Sequence, residues 1–403
     1  MTKKLMAVAV AGALAMPGLA FAQSSVTISG FFKMGLENIK LGDFSSARAP
    51  GGNNSEMRVA DNSSRLIFNI TEDLGGGLQA IGQIDNRFVP DNGAISATGN
   101  TWVGVRSASF GALTIGRWDL HYGQNASDIV NKAGALKAAS ISLLDFVNVA
   151  TVAATGTTPG VAQTAAIANA TRTPNVIKWQ TPNWSGFDMI LAYSTNGTAG
   201  GTQFPSEQDL GGTTASPTNR KGAAWNINPQ FTGSNWQVGY SYWQSKPDAS
   251  LNDQIGNNLF GWYKFGDFKI GASFNKSKLK GQLVAAGPQV DLANRDAWSI
   301  PISWTTGPHN FLAHYTEARK DKAADSRGIG DTGAKMFALA YVYDLSKRTS
   351  VGITYAQIKN QQNAAYQLFT DGGNGATGLS SANAAPLAGE DPQLFALTMK
   401  AAF

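Results

Sequence analysis

Charged side chains that alternate with apolar ones are the residues of this 403-residue chain with the clearest chemical role. They stand singly along segments of alternating polarity. Isolated fixed charges act on dissolved ions through their electric field, and no bond needs to form or break. The candidates are the cations Arg65, Arg87, Arg117, Arg172 and Lys178 and the carboxylates Asp85, Asp128 and Asp145.

Catalysis and metal binding lack the residues that they would need. The chain contains no cysteine, which excludes disulfides, thiolate metal sites and cysteine nucleophiles. His121, His309 and His314 are too few and too scattered to form a metal site. The sequence also lacks a GxSxG elbow, an HExxH motif and a P-loop. We therefore expect neither enzyme activity nor a cofactor.

The formal net charge of +5 could in principle suit nucleic acid. Nucleic-acid-binding chains usually concentrate their Lys and Arg residues in a patch or a short basic run. Here the basic residues are spread singly along the alternating segments. We therefore do not expect a nucleic-acid partner.

The segment from Ser64 to Phe88 shows the element that carries these charges. It contains two alternating arms of about ten residues joined by a glycine turn, and a period of two indicates β-strands. A strand that crosses a bilayer needs about 9 to 11 residues, whereas an ordinary strand has about 5 to 6. One face of each arm is apolar and the other is too polar for a packed core. The pattern predicts the wall of a transmembrane barrel, with the apolar face toward lipid and the polar face toward water.

The connections between the predicted strands alternate between short turns and long polar loops. Eight long loops and seven short turns join sixteen strands, the layout of a bacterial outer-membrane barrel whose bore can hold water. The sequence thus predicts an all-β, 16-stranded antiparallel transmembrane β-barrel with short periplasmic turns and long extracellular loops. The short turns are predicted at 72–77, 107–111, 182–186, 232–235, 266–267, 305–309 and 345–348.

Residues 1–22 have the features of a secretory signal peptide. Lys3 and Lys4 precede an apolar run, and an Ala-x-Ala cleavage site ends at Ala22. The alternative, a helix that anchors the chain in a membrane, is disfavoured because the run is short and contains Pro17. We expect an exported chain whose barrel comprises residues 23–403.

The third long loop, at about 119–171, is far longer than the usual limit of about 15 residues for a connecting loop. Its apolar residues need cover, so disorder is not expected. The strand before it, from Ala112 to Trp118, has seven residues, which is too short for a full crossing. We expect the chain to leave the wall partway up and enter the lumen, where it narrows the bore, and we call residues 119–171 the constriction loop. An extracellular cap or a latch between subunits is the alternative.

Counting residues from each short turn gives the heights of the candidate cations. With ~3.3 Å per residue and ~45° of tilt, Arg65 and Arg117 lie roughly 14 Å above the inner rim. Lys178 lies lower, and Arg87 and Arg172 lie higher. Strict alternation places Arg117 on the lipid face, where an arginine costs about 2 to 4 kcal/mol, so we expect a bulge or the departure of the loop to turn it inward.

The charges of the predicted constriction are mainly positive. Asp85 on the wall and Asp128 and Asp145 in the loop oppose the five cations. A surplus of positive potential favours anions, although salt screens part of the effect. The alternative is that the arginines pair with carboxylates, as Arg87 could with Asp85, and only stiffen the wall.

Five segments resemble the general trimeric porins of Gram-negative bacteria, especially the beta-proteobacterial branch. The resemblance implies a homotrimer in the outer membrane, passive diffusion of small hydrophilic solutes and ions, and a third loop folded into the lumen. A last strand ending in Phe403 resembles the signal that the barrel assembly machinery reads. The segments are TEDLGGGLQAIGQID at 71–85, WVGVRSASFGALTIGR at 102–117, NVIKWQTPNWSGFDMILAYS at 175–194, YDLSKRTSVGITYA at 343–356 and LFALTMKAAF at 394–403.

Two further hypotheses concern solutes and partners. Trp243 and Trp262 fall on the polar face and could stack against sugar rings, which would make the protein a substrate-selective porin for sugars or organic anions. The long loops at 196–219 and 360–391 could support adhesion or phage attachment beside the channel. Outer-membrane lipid is the expected surroundings in every case.

Overall fold

The computed structural model describes residues 24–42, 54–62, 64–90, 93–96, 99–121, 141–144, 146–152, 159–165, 173–195, 223–246, 253–282, 287–368 and 386–403. The predicted signal peptide at 1–22 lies outside these residues. Neither of the two helices in the described ranges is long and apolar enough to cross a bilayer.

Strands make up almost all of the described chain. Two helical turns accompany them, α1 (Ile141–Leu144) and α2 (Lys322–Asp325). The strands are β1 (Ser25–Gly42), β2 (Ser55–Asp61), β3 (Arg65–Gly75), β4 (Leu78–Val89), β5 (Ala94–Ser96), β6 (Thr101–Ser107), β7 (Gly111–Trp118), β8 (Phe146–Val152), β9 (Pro159–Ala165), β10 (Thr173–Gln180), β11 (Phe187–Ser194), β12 (Ala223–Thr232), β13 (Trp236–Lys246), β14 (Asp253–Phe265), β15 (Phe268–Gln282), β16 (Gln289–Thr306), β17 (His309–Ala318), β18 (Ala334–Asp344), β19 (Thr349–Asn360) and β20 (Asp391–Ala402).

The wall is a closed antiparallel barrel of sixteen strands. Each wall strand pairs with its neighbours in sequence, and β1 pairs with β20 to close the cylinder. β2 and β3 share one wall position beside β1, as do β5 and β6 beside β4. β8 and β9 form a separate hairpin. The strand number, the antiparallel order and the seven short turns agree with the sequence prediction.

The two faces of each wall strand differ as the alternation predicted. On β15, Phe268 and Phe274 are exposed on the outside, whereas Ser273 and Asn275 are buried on the inside. Apolar side chains can face hydrocarbon, and inward polar side chains can be hydrated or hydrogen-bonded. The same alternation places Arg65 on β3 and Asp85 and Arg87 on β4 on the inner wall.

The barrel closes where β1 meets β20, which we call the closing seam, and this seam requires a close backbone approach at Gly30. The backbone N–H groups of Gly30 and Phe403 each donate to the other's carbonyl oxygen, at 3.4 and 3.1 Å. A Cβ atom at residue 30 would overlap the carbonyl oxygen of Arg65 and lie 2.9 Å from the Phe403 ring. Glycine is therefore needed where the first strand meets the end of the last.

The third long loop enters the barrel. The two strands that flank it, β7 and β10, have eight residues each, so the chain leaves the wall early. α1 lies against β16, β17 and β18 on the far side of the barrel. Its Leu143 and Leu144 are fully buried in a hydrophobic cluster that includes Met336 and Ile358 from the inner wall. At α1 the loop therefore lies in the lumen, as predicted, and its bounds at about 119–171 stay a prediction.

Candidate functional site: the cationic inner wall

Arg65, Asp85 and Arg87 form an ion cluster on the inner face of β3 and β4. The register sets Arg65 directly opposite Arg87. The Asp85 carboxylate lies 3.5 Å from Arg65 Nη1 and 3.3 Å from Arg87 Nε. One carboxylate thus contacts two guanidinium groups, so the trio keeps a net positive charge. The predicted pairing of Arg87 with Asp85 is present, and it extends to Arg65.

Two lysines continue this positive surface across the closing seam. Lys33 on β1 lies directly opposite Lys400 on β20, and both side chains are on the inner face. Phe31 lies opposite Arg65, and its ring centroid is 5.0 Å from Arg65 Cζ and 4.7 Å from Lys400 Nζ. We call Lys33, Arg65, Arg87 and Lys400 the basic arc. The arc crosses the adjacent wall strands β20, β1, β3 and β4.

Gly99 keeps Asp85 in its place between the arginines. The Gly99 N–H donates to the Asp85 carbonyl oxygen at 2.7 Å. A Cβ atom at residue 99 would overlap the Asp85 carboxylate. Because the backbone approaches this closely, any side chain here would push the carboxylate away from its two partners.

Lys178 lies on β10, separate from the basic arc, and is held by aromatic rings. Its Nζ is 3.4 Å from the centroid of the Trp118 ring, and it donates to Gln180 Oε1 at 3.3 Å. Trp118 stacks on Trp102 with a centroid separation of 4.8 Å. The aromatic faces position this ammonium group without adding a negative charge.

The register of β7 keeps Arg117 in line with Leu113 and Ile115, both of which are exposed on the lipid side. Trp118 occupies the inner face instead, and its Nε1–H donates to Thr114 Oγ1 at 2.9 Å. An irregularity does occur beside Arg117, since the pairing of β7 with β10 shifts between Thr173 and Val176. The assignment of Arg117 to the cationic wall stays a prediction.

The predicted loop charges cannot be placed. Arg172 also lies outside the described residues together with Asp128 and Asp145, so the flanking role of Arg172 and the opposition of the two carboxylates to the wall cations stay predictions. Among the candidates that the structure describes, Arg65, Asp85 and Arg87 come together, and Lys178 lies elsewhere on the inner wall. No group of histidines and carboxylates in the described ranges has the geometry of a metal site.

The start of the constriction loop is attached to the wall opposite the arc. His121 Nδ1 lies 2.8 Å from Ser241 Oγ on β13, and Ser241 also accepts from Asn226 Nδ2 at 3.0 Å. His121 is fully buried, and this burial lowers its pKa to about 3. The imidazole is therefore neutral at physiological pH, and it serves as an uncharged anchor.

Of the two tryptophans considered for sugar stacking, one is fully buried and the other has a lysine over its ring. Trp243 is fully buried. Trp262 donates from Nε1 to Gln237 Oε1 at 2.8 Å, and Lys269 Nζ lies 4.1 Å from its ring centroid. A sugar would have to displace Lys269 to stack on that face of Trp262.

The arrangement can select ions by charge. One cation about 6 Å from a passing anion contributes on the order of 1 kcal/mol at an effective dielectric between those of water and protein. Salt at physiological strength screens this attraction beyond about 8 Å, so nearby charges matter most. A cluster that holds more arginine and lysine than carboxylate favours anions at the wall.

Comparison with known proteins identifies the family. The family model described as "Gram-negative porin" matches residues 7–363, which is most of the chain. This chain belongs to the Gram-negative porin family. The porin lies in the outer membrane, where its barrel spans the lipid.

Two curated relatives span most of this porin. Outer membrane porin protein 32 of Delftia acidovorans is 26% identical over 372 residues and covers 90% of each chain. An outer membrane porin protein of Bordetella pertussis is 24% identical, over 89% of this chain and 95% of the relative.

Solved structures share the barrel fold of this porin. The structure of an anion-selective porin from Comamonas acidovorans has a TM-score of 0.69 at 20% identity and covers 94% of this chain and 100% of that one. OmpT of Vibrio cholerae, described as a trimer form, has a TM-score of 0.60 at 14% identity, over 94% and 99% of the two chains.

Sequence reasoning missed two members of the basic arc in this porin, Lys33 and Lys400. Alternation alone places Lys33 on the water face, and Lys400 alternates with the apolar Met399. Their proximity to each other and to Arg65 follows from the pairing of the first strand with the last. That pairing was the missing signal.

Proposed function

We propose that this porin forms a water-filled channel for passive diffusion of small hydrophilic solutes and ions, with a partial preference for anions. The observation that carries the preference is the basic arc, in which Asp85 is shared by Arg65 and Arg87 and two lysines continue the positive surface. The Comamonas porin, which shares this barrel fold, is described as anion-selective, in agreement with this proposal. Since no bond chemistry is involved, the channel consumes no energy source.

The charge argument is tested by the reversal potential of purified channels in a planar bilayer under a salt gradient. We expect the wild-type protein to conduct and its potential to indicate anion preference. Replacing Arg65 and Arg87 together with glutamine should shift the potential toward cations, because two positive charges leave the inner wall. Each charge contributes on the order of 1 kcal/mol at close range, so the permeability ratio should change several-fold.

Arg348 provides a matched control. It is exposed in a short turn between β18 and β19, outside the bore. Arg348→Gln combined with Lys347→Gln, its exposed neighbour in the turn, also removes two positive charges, and we expect the wild-type potential. An unchanged potential in the Arg65 and Arg87 double variant would refute their role and leave the channel intact. A folded wild-type protein that carries no current would refute the channel itself.

We propose that the porin assembles as a homotrimer. The outer faces of the wall differ around the barrel: β6, β7 and β10 present aliphatic residues such as Val103, Ile115 and Ile177. A stacked row of aromatic rings follows the other side near the short turns, from Phe265 through Phe268 and Trp304 to Phe311. Aromatic belts suit the interface between lipid and water. An aliphatic face is better suited to packing against another barrel.

The last strand supports a role in assembly of the barrel in the membrane. Phe395, Leu397, Met399 and Phe403 are all exposed on the outer side. A terminal strand with this pattern would be available to the barrel assembly machinery before the seam closes.

A further inference from the structure

Arg295 joins the constriction loop to the far wall. It lies on β16 and is fully buried on the inner face. Its Nη1 donates to the carbonyl oxygen of Leu143, and its Nη2 donates to that of Leu144 at 2.9 Å. These two carbonyl groups are at the end of α1, so one side chain binds the loop across more than 150 residues of sequence.

The chemistry of this contact suits arginine in particular. The last carbonyl groups of a helix have no partner within the helix, and they need a donor when they are buried. The guanidinium group is planar and offers several N–H donors in a fixed arrangement, so it can serve two adjacent carbonyls at once. A lysine would offer a single point charge on a flexible stem.

The same guanidinium contacts a second long loop. Arg295 Nη1 donates to the Tyr366 hydroxyl at 3.1 Å, and the Tyr366 ring is 1% exposed. Asn360, at the end of β19, holds the Tyr366 backbone by accepting from its N–H and donating to its carbonyl, each at 2.9 Å. Arg295 therefore connects α1, β16 and the segment that follows β19.

A carboxylate near the contact supplies part of the opposing charge. The pKa of Asp321 is raised by burial. Hydrogen bonds from the backbone N–H groups of Ala324, Asn294 and Ala323 and the charge of Arg295 offset part of this rise. Asp321 also caps α2 by accepting from Ala323 and Ala324. Asp321 therefore links the surroundings of Arg295 to α2, which lies in the connection between β17 and β18.

We propose that Arg295 is the positioning residue of the constriction: it clamps α1 to the far wall and thereby sets the width and steadiness of the aperture. The inference rests on the proposed channel function. Without the clamp, Leu143 and Leu144 would still pack against the inner wall, but the carbonyl groups at the end of α1 would lose a charged donor. The loop would then move between seated and displaced positions.

Single-channel recordings test the clamp. Arg295→Met removes every donor, and we expect brief conductance transitions to become about tenfold more frequent, since hydrogen bonds to a charged group are lost. Arg295→Lys should give an intermediate frequency, because a single ammonium group remains and lacks the planar arrangement that serves both carbonyls. Tyr366→Phe should give a smaller rise, because only the hydroxyl contact is removed.

Arg327 is a matched control on the same side of the barrel. Its Nη1 and Nη2 donate to the carbonyl groups of Asp291 and Leu292 at 2.9 and 3.1 Å, and both of these acceptors belong to the wall strand β16. Arg327→Lys should leave the current trace unchanged. Circular dichroism and migration of the unheated protein on gels would verify that each variant is folded.

The possible outcomes separate the clamp from the channel. A folded Arg295→Met channel with the wild-type transition frequency would overturn the clamp. If Arg295→Met does not fold, Tyr366→Phe decides, because a trace identical to wild type would overturn the clamp as well. If the wild-type protein conducts and neither variant changes the transition frequency, the clamp is overturned and the proposed channel function stands.

Discussion

Phe31 contacts two cations of the basic arc, Arg65 and Lys400. A cation over an aromatic ring gains about 0.5 to 1 kcal/mol at an exposed site, and its charge is not cancelled. A carboxylate would position the same groups more firmly but would remove their effect on ions. The inner wall contains both kinds of contact, an aromatic ring at Phe31 and a carboxylate at Asp85. The number of carboxylates relative to cations determines how much positive potential remains.

Asp85→Asn should increase the anion preference. The substitution removes the carboxylate that Arg65 and Arg87 share and retains a side chain of the same size. We expect the reversal potential in a salt gradient to move further toward anions, by an amount that falls as salt concentration rises. Asp267→Asn, in an exposed turn, is the control and should have no effect. A shift toward cations would show that the arginines had left the bore.

At the scale of elements, the short strands β7 and β10 determine where the constriction loop leaves the wall. Each has eight residues, whereas β15 and β16 have 15 and 18. The loop is then held at its start by His121 and near its middle by Arg295. The two anchors differ in their response to acid, because His121 can gain a proton whereas Arg295 is always charged.

The anchor at His121 should weaken as pH falls. Burial lowers its pKa to about 3, below the ordinary value of 6.5. Above pH 6.5 neither the seated nor the released histidine carries a proton, so the anchor has its full strength. Between pH 6.5 and 3 the released histidine gains a proton that the buried one does not, and release becomes more favourable. Conductance transitions in the wild type should therefore become more frequent between pH 7 and pH 4.

The histidine variants separate this effect from the titration of carboxylates. His121→Gln should make the transition frequency much less dependent on pH. His309→Gln changes a histidine that contacts Tyr341 near the inner rim, and it should retain the wild-type pH dependence. Equal pH dependence in the wild type and the His121 variant would contradict the assignment.

At the scale of the whole molecule, the outer surface has two kinds of face. One presents Val103, Ile115 and neighbouring aliphatic residues, and the other presents the aromatic row. A polar side chain on either face loses favourable contact with lipid, but in the proposed trimer only a change on the first face would also disturb the contact with another subunit.

Ile115→Gln should shift the assembly from trimer to monomer, because it places an amide in the proposed contact between subunits. Ile302→Gln makes the same change on the face that carries the aromatic row, where Ile302 is 39% exposed, and the trimer should persist. Native mass spectrometry in detergent would measure both. Trimers of normal stability for Ile115→Gln would place the contact elsewhere.

Much of this architecture could be predicted from sequence because period-two alternation assigns faces locally. The strand number, the short turns and the inward position of Arg65 and Arg87 depend only on such local patterns. The link between Lys33 and Lys400 could not be predicted, since it depends on the register across the seam. Arg295 could not be assigned either, because its partners, the carbonyl groups of Leu143 and Leu144, are backbone atoms with no signature in the side-chain pattern.

The seam has a consequence for how the protein is made. Phe31, near the amino end, pairs with Ala402, the penultimate residue, so any chain released early would present two bare strand edges. Such edges pair readily with other chains and promote aggregation. Contacts between residues this distant in sequence also form slowly. Newly exported molecules must therefore be kept apart until the first and last strands pair and the cylinder is sealed.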